Sequence, residues 1–146
     1  AFGREDLQGE CMEVPQAAEA AGVASDIDGF DRGYQTLLGE RGVNLSGGQK
    51  QRISIARALV RNPRVLLLDD CLSAVDTETE ERILSGLSKG RTATTLMVSH
   101  RLSSLRGADR ILVLDEGQIV EQGTHETLLA NGGLYATMHA QQQLGA

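Results

Sequence analysis

In the stretch Asn44-Leu45-Ser46-Gly47-Gly48-Gln49-Lys50-Gln51-Arg52, residues suited to holding an anion stand where a loop turns into a helix. Gly47 and Gly48 let the backbone come close to a ligand, and Ser46 offers a hydroxyl that can cap the helix and bond a phosphate oxygen. Free N–H groups of the first turn and the positive end of the helix dipole point the same way. Ser-Gly-Gly is also a common loop, so its weight comes from the residues on its C-terminal side. Ile53, Ala56 and Val60 recur at helical spacing, and Asn62-Pro63 ends the helix. Val65-Leu66-Leu67-Leu68 then reads as a buried strand delivering Asp69-Asp70, and Thr94–Val98 as a second one delivering Ser99-His100. A turn fit for an anion is thus succeeded by strand ends that carry two carboxylates and an imidazole.

This order of parts resembles the ATP-binding cassette (ABC) family, the ATPase engines of transporters. Leu45-Ser46-Gly47-Gly48-Gln49 matches the family's signature sequence letter for letter. Val65 to Asp69 resembles its Walker B strand, Ser73-Ala74-Val75-Asp76 its D-loop and His100 its switch histidine. The resemblance covers nearly the whole chain and implies an α/β fold, the C-terminal part of a P-loop NTPase. A helical signature subdomain is expected over about residues 4–62, and the C-terminal part of the ATPase core over about 63–146. That core part would hold some of a mostly parallel sheet, then a terminal β-hairpin and helices. The sequence has no Gly-x-x-x-x-Gly-Lys-Ser/Thr phosphate loop. In the family that loop lies upstream, with an adenine-stacking aromatic and a glutamine loop, and Ala1-Phe2-Gly3 resembles the segment just after the latter. The chain therefore looks like the C-terminal portion of a cassette, inactive as an ATPase by itself.

The resemblance also implies ATP and Mg²⁺ as cofactors and a second cassette as partner, the two meeting head to tail around two ATPs. Ser46, Gly47, Gly48 and Gln49 would cover the γ-phosphate of the ATP held by that partner. Asp69 would hold Mg²⁺, largely through water because this ion keeps much of its hydration. Asp76 would lie at the nucleotide-bearing dimer contact, and His100 would contact the γ-phosphate and the attacking water. Asp70 departs from the pattern, since the family usually has Glu here as the base that positions that water. Asp is one methylene shorter, and a misplacement of about an ångström costs on the order of a hundredfold in rate. The expectation is a degenerate ATP site, as in one half of a heterodimeric exporter; the competing reading keeps Asp70 active through a shifted water or backbone. Gly39-Glu40-Arg41-Gly42 matches an exporter-branch segment that touches loops of the membrane domain. Exporter and cytoplasmic face of the inner or plasma membrane are the resulting expectations. The rival readings are a soluble cassette ATPase acting on DNA or ribosomes, and a non-catalytic interaction fragment.

Composition narrows the classes further. A net charge of −6 and 3% aromatic residues argue against a nucleic-acid platform. No apolar run approaches the roughly 18 residues that span a bilayer. Cys11 and Cys71 have neither metal-ligand spacing nor a disulfide framework, which fits a reduced compartment and small apolar fillers. The start Ala-Phe-Gly, with no methionine, suggests a cut piece. Glu13 to Ala24 reads as a helix closed near Gly22, and Ser25 to Tyr34 as a polar connection. Thr77 to Leu87 reads as a helix capped by Thr77, with Glu78, Glu80 and Glu81 on a solvated face and Ile83, Leu84 and Leu87 toward the core. Lys50 and Arg57 read as solvated or paired; Arg52 could brace the signature loop, though nothing in the sequence singles it out. Arg101–Leu105 reads as a short helix, and Arg110–Asp115 with Gln118–Gln122 as a hairpin turning at Glu116-Gly117. A helix capped by Thr124, with His125 structural, and a closing helix from Tyr135 to Gln143 complete the chain. Without the upstream subdomain, apolar strand surface should be left uncovered.

Overall fold

A computed structural model of the chain describes residues 13–39, 44–88 and 93–144. It divides into two compact units, residues 1–98 and 99–146. The first unit opens with α1 (Val14–Ala20), started by a proline in its first turn and rich in alanine. Gly22, at φ 64°, then closes the helix: Val23 N–H bonds Ala18 O and Gly22 N–H bonds Glu19 O, each at 2.9 Å. The single helix expected to Ala24 is therefore two, because a left-handed glycine ends the first. α2 (Ala24–Asp28) occupies part of the expected polar connection, and a 3₁₀ turn (Gly33–Gln35) comes next.

The long helix α3 (Gly47–Val60) turns Ile55, Leu59 and Val60 into the core, with Ile53 and Ala56 only partly covered. Asn62 then takes φ 44° ahead of Pro63, which stops the helix where the sequence places the stop. β1 (Val65–Asp69) pairs in parallel with β2 (Thr94–Val98), Asp69 lying opposite Val98, and α4 (Thr77–Ser88) makes the crossover. Helices α1, α3 and α4 bury Ala17, Ala18, Ala21, Val23, Ile55, Leu59, Ile83 and Leu87 together with Leu66 and Leu68 of β1.

Two readings of strand and helix burial are corrected. An unbroken apolar run suits a strand covered on both faces, yet only Leu66 and Leu68 of β1 are buried. Val65 and Leu67, with Leu96 and Val98 of β2, are exposed. On α4, Glu80 is not part of a solvated face: it is 2% exposed. Its position one turn before Ile83 places it on the same packed stripe.

In the second unit a 3₁₀ turn (Leu102–Leu105) precedes a hairpin of β3 (Ile111–Asp115) and β4 (Gln118–Gly123). Glu116 and Gly117, at φ 46° and 77°, form the two-residue turn whose twist matches the strands. α5 (His125–Asn131), capped by Thr124, and α6 (Leu134–Leu144) pack on it around Leu102, Ile111, Val113, Leu128 and Tyr135. His125 is buried, its Nδ1 2.8 Å from the Tyr135 hydroxyl, so it serves this core. Among the described residues, no helix is long and apolar enough to cross a membrane.

Candidate functional site

Helix α3 starts in a reciprocal cap. Ser46 Oγ accepts the Gln49 N–H at 3.1 Å, and Gln49 Oε1 accepts the Ser46 N–H at 3.0 Å. Gly47 and Gly48, the first two helical residues, have N–H groups with no acceptor inside the helix. The Ser46 oxygen already accepts a bond, so its O–H proton is left to be donated. One hydroxyl, two amides and the positive helix end thus form a set of donors suited to a phosphate oxygen. Ser46 and Gly47 are exposed to solvent.

This turn is held from two sides. On one, Asp26 of α2 receives Gln49 Nε2 on Oδ1 at 2.8 Å and Arg52 Nη1 on Oδ2 at 2.7 Å. Arg52 also donates to the carbonyls of Gly22 and Gly48, so it does brace the loop. On the other, Gln51 Nε2 donates to Ser73 Oγ at 3.1 Å, while its Oε1 accepts the Ala74 N–H at 3.0 Å. Gly48 packs so closely here that a Cβ would lie 2.8 Å from the Ala74 carbonyl oxygen. Gly47 has ordinary room, its Cβ position 3.7 Å from that of Ala74.

Asp69 ends β1 with an exposed side chain. Asp70 comes next at φ 44°, a left-handed conformation that Asp tolerates better than most residues. Its N–H donates to Val98 O at 2.9 Å, and its carbonyl accepts Ser73 Oγ at 3.0 Å. Both backbone groups of Asp70 are therefore fixed. Asp76 Oδ1 accepts the Thr79 N–H at 2.9 Å, so Asp76, and not Thr77, caps α4. That backbone bond, with one from the Thr79 side chain, holds the Asp76 carboxyl below the usual range. Burial pushes the half-buried Cys71 thiol up, and the Asp70 and Asp69 charges add to this against its own backbone bond. A raised thiol pKa fits a filler and not a nucleophile.

Ser46, Gly47, Gly48, Gln49, Asp69, Asp70 and Asp76 all belong to the first unit; His100 belongs to the second. There, Ser99 Oγ accepts the Arg101 N–H at 3.0 Å. Gln142 of α6 clamps the same segment, its Nε2 2.6 Å from His100 O and its Oε1 3.0 Å from Leu102 N. The His100 backbone is held while its side chain is exposed. Gly39 is exposed at φ 117°, whereas Glu40, Arg41 and Gly42 lie outside the described residues, as does Cys11. Among the described residues no group of three or more His, Cys, Asp or Glu is placed to hold a metal.

Sequence reasoning misses Asp26 and Gln51. No spacing rule links residue 26 to residues 49 and 52, and Gln51 reads from sequence as an ordinary helical polar residue.

Comparison with known proteins finds similar chains. The ABC transporter family model matches residues 6–73. The chain is 50% identical over 142 residues to a mitochondrial potassium channel ATP-binding subunit of Xenopus tropicalis, covering 97% of this chain and 20% of the relative. It is 47% identical over 145 residues to an ATP-dependent lipid A-core flippase of Chromobacterium violaceum, covering 97% of this chain and 24% of that one. A solved bacterial Atm1-family ABC exporter with ATP bound superposes with a TM-score of 0.82 at 50% identity, over 88% of this chain and 23% of that chain. The chain thus spans about a fifth to a quarter of the length of these relatives. Together with the α/β architecture, these matches make the chain similar, over nearly its whole length, to part of the nucleotide-binding domain of ABC transporters.

Proposed function

We propose that this chain is part of the ATP-driven motor of a membrane exporter, acting at the cytoplasmic face of the membrane. The observation that carries the reading is the capped turn at Ser46-Gly47-Gly48, whose first-turn N–H groups have no acceptor within the helix and whose Ser46 and Gly47 are exposed to solvent. Ser46 and the Gly47 and Gly48 amides donate to the γ-phosphate of ATP held by a second cassette, with Gln49 keeping the turn in shape. These contacts exist only when the two cassettes close, so they favour closure and stabilise charge at the phosphate. Functionally the chain divides near residue 62, with the signature part before it and the nucleotide-core part after it.

Asp69 would take part in holding Mg²⁺ and Asp76 would lie at the contact with the partner cassette; for His100, exposed in the second unit, the γ-phosphate and attacking water would be the targets. Bound MgATP would supply the phosphoanhydride and the neutralising charge there. Asp70 is short for its role. Its N–H on Val98 and its carbonyl on Ser73 oppose the backbone shift that would bring the carboxylate forward. We therefore assign a slow site to this chain and Glu at the matching position of its partner, in a heterodimer. Gly39-Glu40-Arg41-Gly42 docks the membrane domain's loops.

The test is ATP turnover at each site of the intact transporter. Asp70→Glu is expected to speed turnover at this chain's site by about a hundredfold. Comparable turnover at both sites of the unaltered transporter would sink the assignment. By itself the chain should show no MgATP binding by calorimetry at millimolar nucleotide.

A further inference from the structure

We propose that Asp26 is a positioning residue for the phosphate-facing turn, acting through Gln49. The proposal rests on the functional reading in which that turn meets a nucleotide. Among the described residues, the hydrogen bonds of the Asp26 side chain go to Gln49 and Arg52 and not to Ser46, Gly47 or Gly48. Its two carboxylate oxygens are instead divided between Gln49 Nε2 at 2.8 Å and Arg52 Nη1 at 2.7 Å.

A carboxylate only accepts, so Asp26 obliges the Gln49 amide to turn its NH₂ toward α2. Gln49 Oε1 is then left facing the Ser46 N–H, which it accepts at 3.0 Å. That bond and its reciprocal, Gln49 N–H to Ser46 Oγ, keep Ser46 in its extended conformation at ψ 163°. With its oxygen engaged by Gln49 N–H, Ser46 presents its O–H outward. Without Asp26 the amide could rotate, and its NH₂ would meet the Ser46 N–H donor to donor. Arg52 adds a second restraint, since the same guanidinium that pairs with Asp26 donates to Gly48 O within the turn. Asp26 and Arg52 are both mostly buried, at 21% and 16% side-chain exposure. Solvent therefore screens these charge-assisted bonds less than it would on an open surface.

A residue that preorganises a binding turn should act on affinity more than on the chemical step. The experiment is ATPase kinetics of the intact transporter carrying this chain, with KM for ATP and kcat read separately. Asp26→Ala is expected to raise KM about tenfold while kcat changes less than about threefold. Asp26→Glu, which keeps two acceptor oxygens, should recover part of the loss. Gln49→Ala should resemble Asp26→Ala, and the double variant should fall well short of the product of the two effects, because both remove the Asp26–Gln49 bond and only the Arg52 restraint is left to add. Unchanged KM in Asp26→Ala, or fully multiplicative effects of the two substitutions, would overturn the proposal. If Asp26→Ala does not fold, Asp26→Leu supplies the same test, since it too offers no acceptor and keeps the site filled. Ser46→Arg, which blocks the turn, separates the two levels. If it suppresses ATPase while the Asp26 variants match the unaltered protein, positioning by Asp26 fails alone. If it too has no effect, the reading of the turn fails, and the proposal with it.

Discussion

Gly47 and Gly48 look equivalent in the sequence, and the structure makes them different. An added Cβ at Gly48 would sit 2.8 Å from the Ala74 carbonyl oxygen, whereas at Gly47 the nearest atom is the Ala74 Cβ at 3.7 Å. Relief at Gly48 needs a separation of roughly half an ångström. Neither side yields freely, because the Ala74 N–H is held by Gln51 and Gln51 Nε2 by Ser73. Overpacking of this kind costs about 1–3 kcal/mol. Replacing Gly with Ala in a helix also gains up to about 1 kcal/mol of propensity, but both sites share that term and it cancels in the comparison. Gly48→Ala should therefore be about 1–3 kcal/mol less stable than Gly47→Ala. Urea unfolding of the two variants, followed by circular dichroism, gives the difference directly when the m-values agree. Adding Gln51→Ala to Gly48→Ala should shrink the penalty, since it frees the Ala74 loop to move. Equal stability of the two single variants would refute the close-packing account, and the pair of glycines would then owe their place to the ligand alone.

Three further outcomes are expected. Leu59→Ala, in the middle of the first core, should cost about 2–5 kcal/mol, whereas Leu67→Ala on the uncovered face of β1 should stay within about 0.5 kcal/mol in the same unfolding assay. The Asp76 carboxyl is lowered by its bond from Thr79 N–H, so its contribution is fully present above the ordinary Asp value of about 3.9 and is lost as pH falls through the folded one. Asp76→Asn should accordingly reduce the loss of helicity on acidification, read by circular dichroism against pH. The Cys71 thiol, raised by burial, should be alkylated by iodoacetamide near neutral pH more slowly in the folded chain than in the chain unfolded in urea, as peptide mass spectrometry would show.

Local rules carry the fold a long way and then stop at contacts between distant residues. The cap at Ser46, the stop at Asn62-Pro63 and the turn at Glu116-Gly117 each depend on a few neighbouring residues, and each is found where the sequence points. Gly22 reads as lying near a helix end, but its left-handed closure moves that end back to Ala20 and releases α2 as a separate helix. Thr77 and Asp76 are both good caps, and only the bond to Thr79 N–H decides for Asp76. Burial is the harder property. Val65–Leu68 is apolar on both faces, so the sequence cannot tell which face this chain covers. Glu80 reads as solvated by residue type and is buried by its place on the helix. At the candidate site the outward-facing residues are legible as a motif. Asp26 and Gln51, which hold them, are not, since a side chain's partner 22 or more residues away leaves no periodic trace.

The two attachments of the turn also separate stability from function. Donors that are already aimed cost no reorganisation when they meet charge, which is where such sites gain most. On α3 the aim comes from Asp26 and Arg52 on one flank and from Gln51 with the Ser73-Ala74 segment on the other. None of these side chains belongs to the fully buried apolar cluster that holds the first unit together. Loss of Leu59 or Ile83 therefore attacks the fold and damages the turn only as a consequence. Loss of Asp26 or Gln51 leaves the helices packed and loosens the direction in which Ser46, Gly47 and Gly48 point. Ser73 extends the second flank further, because the same hydroxyl that receives Gln51 donates to the carbonyl of Asp70. The backbone behind that carboxylate is thus bonded, through one serine and one glutamine, to the helix that presents the turn. A substitution at Ser73 should disturb both ends of this connection at once, whereas one at Gln51 should leave the Asp70–Ser73 bond in place.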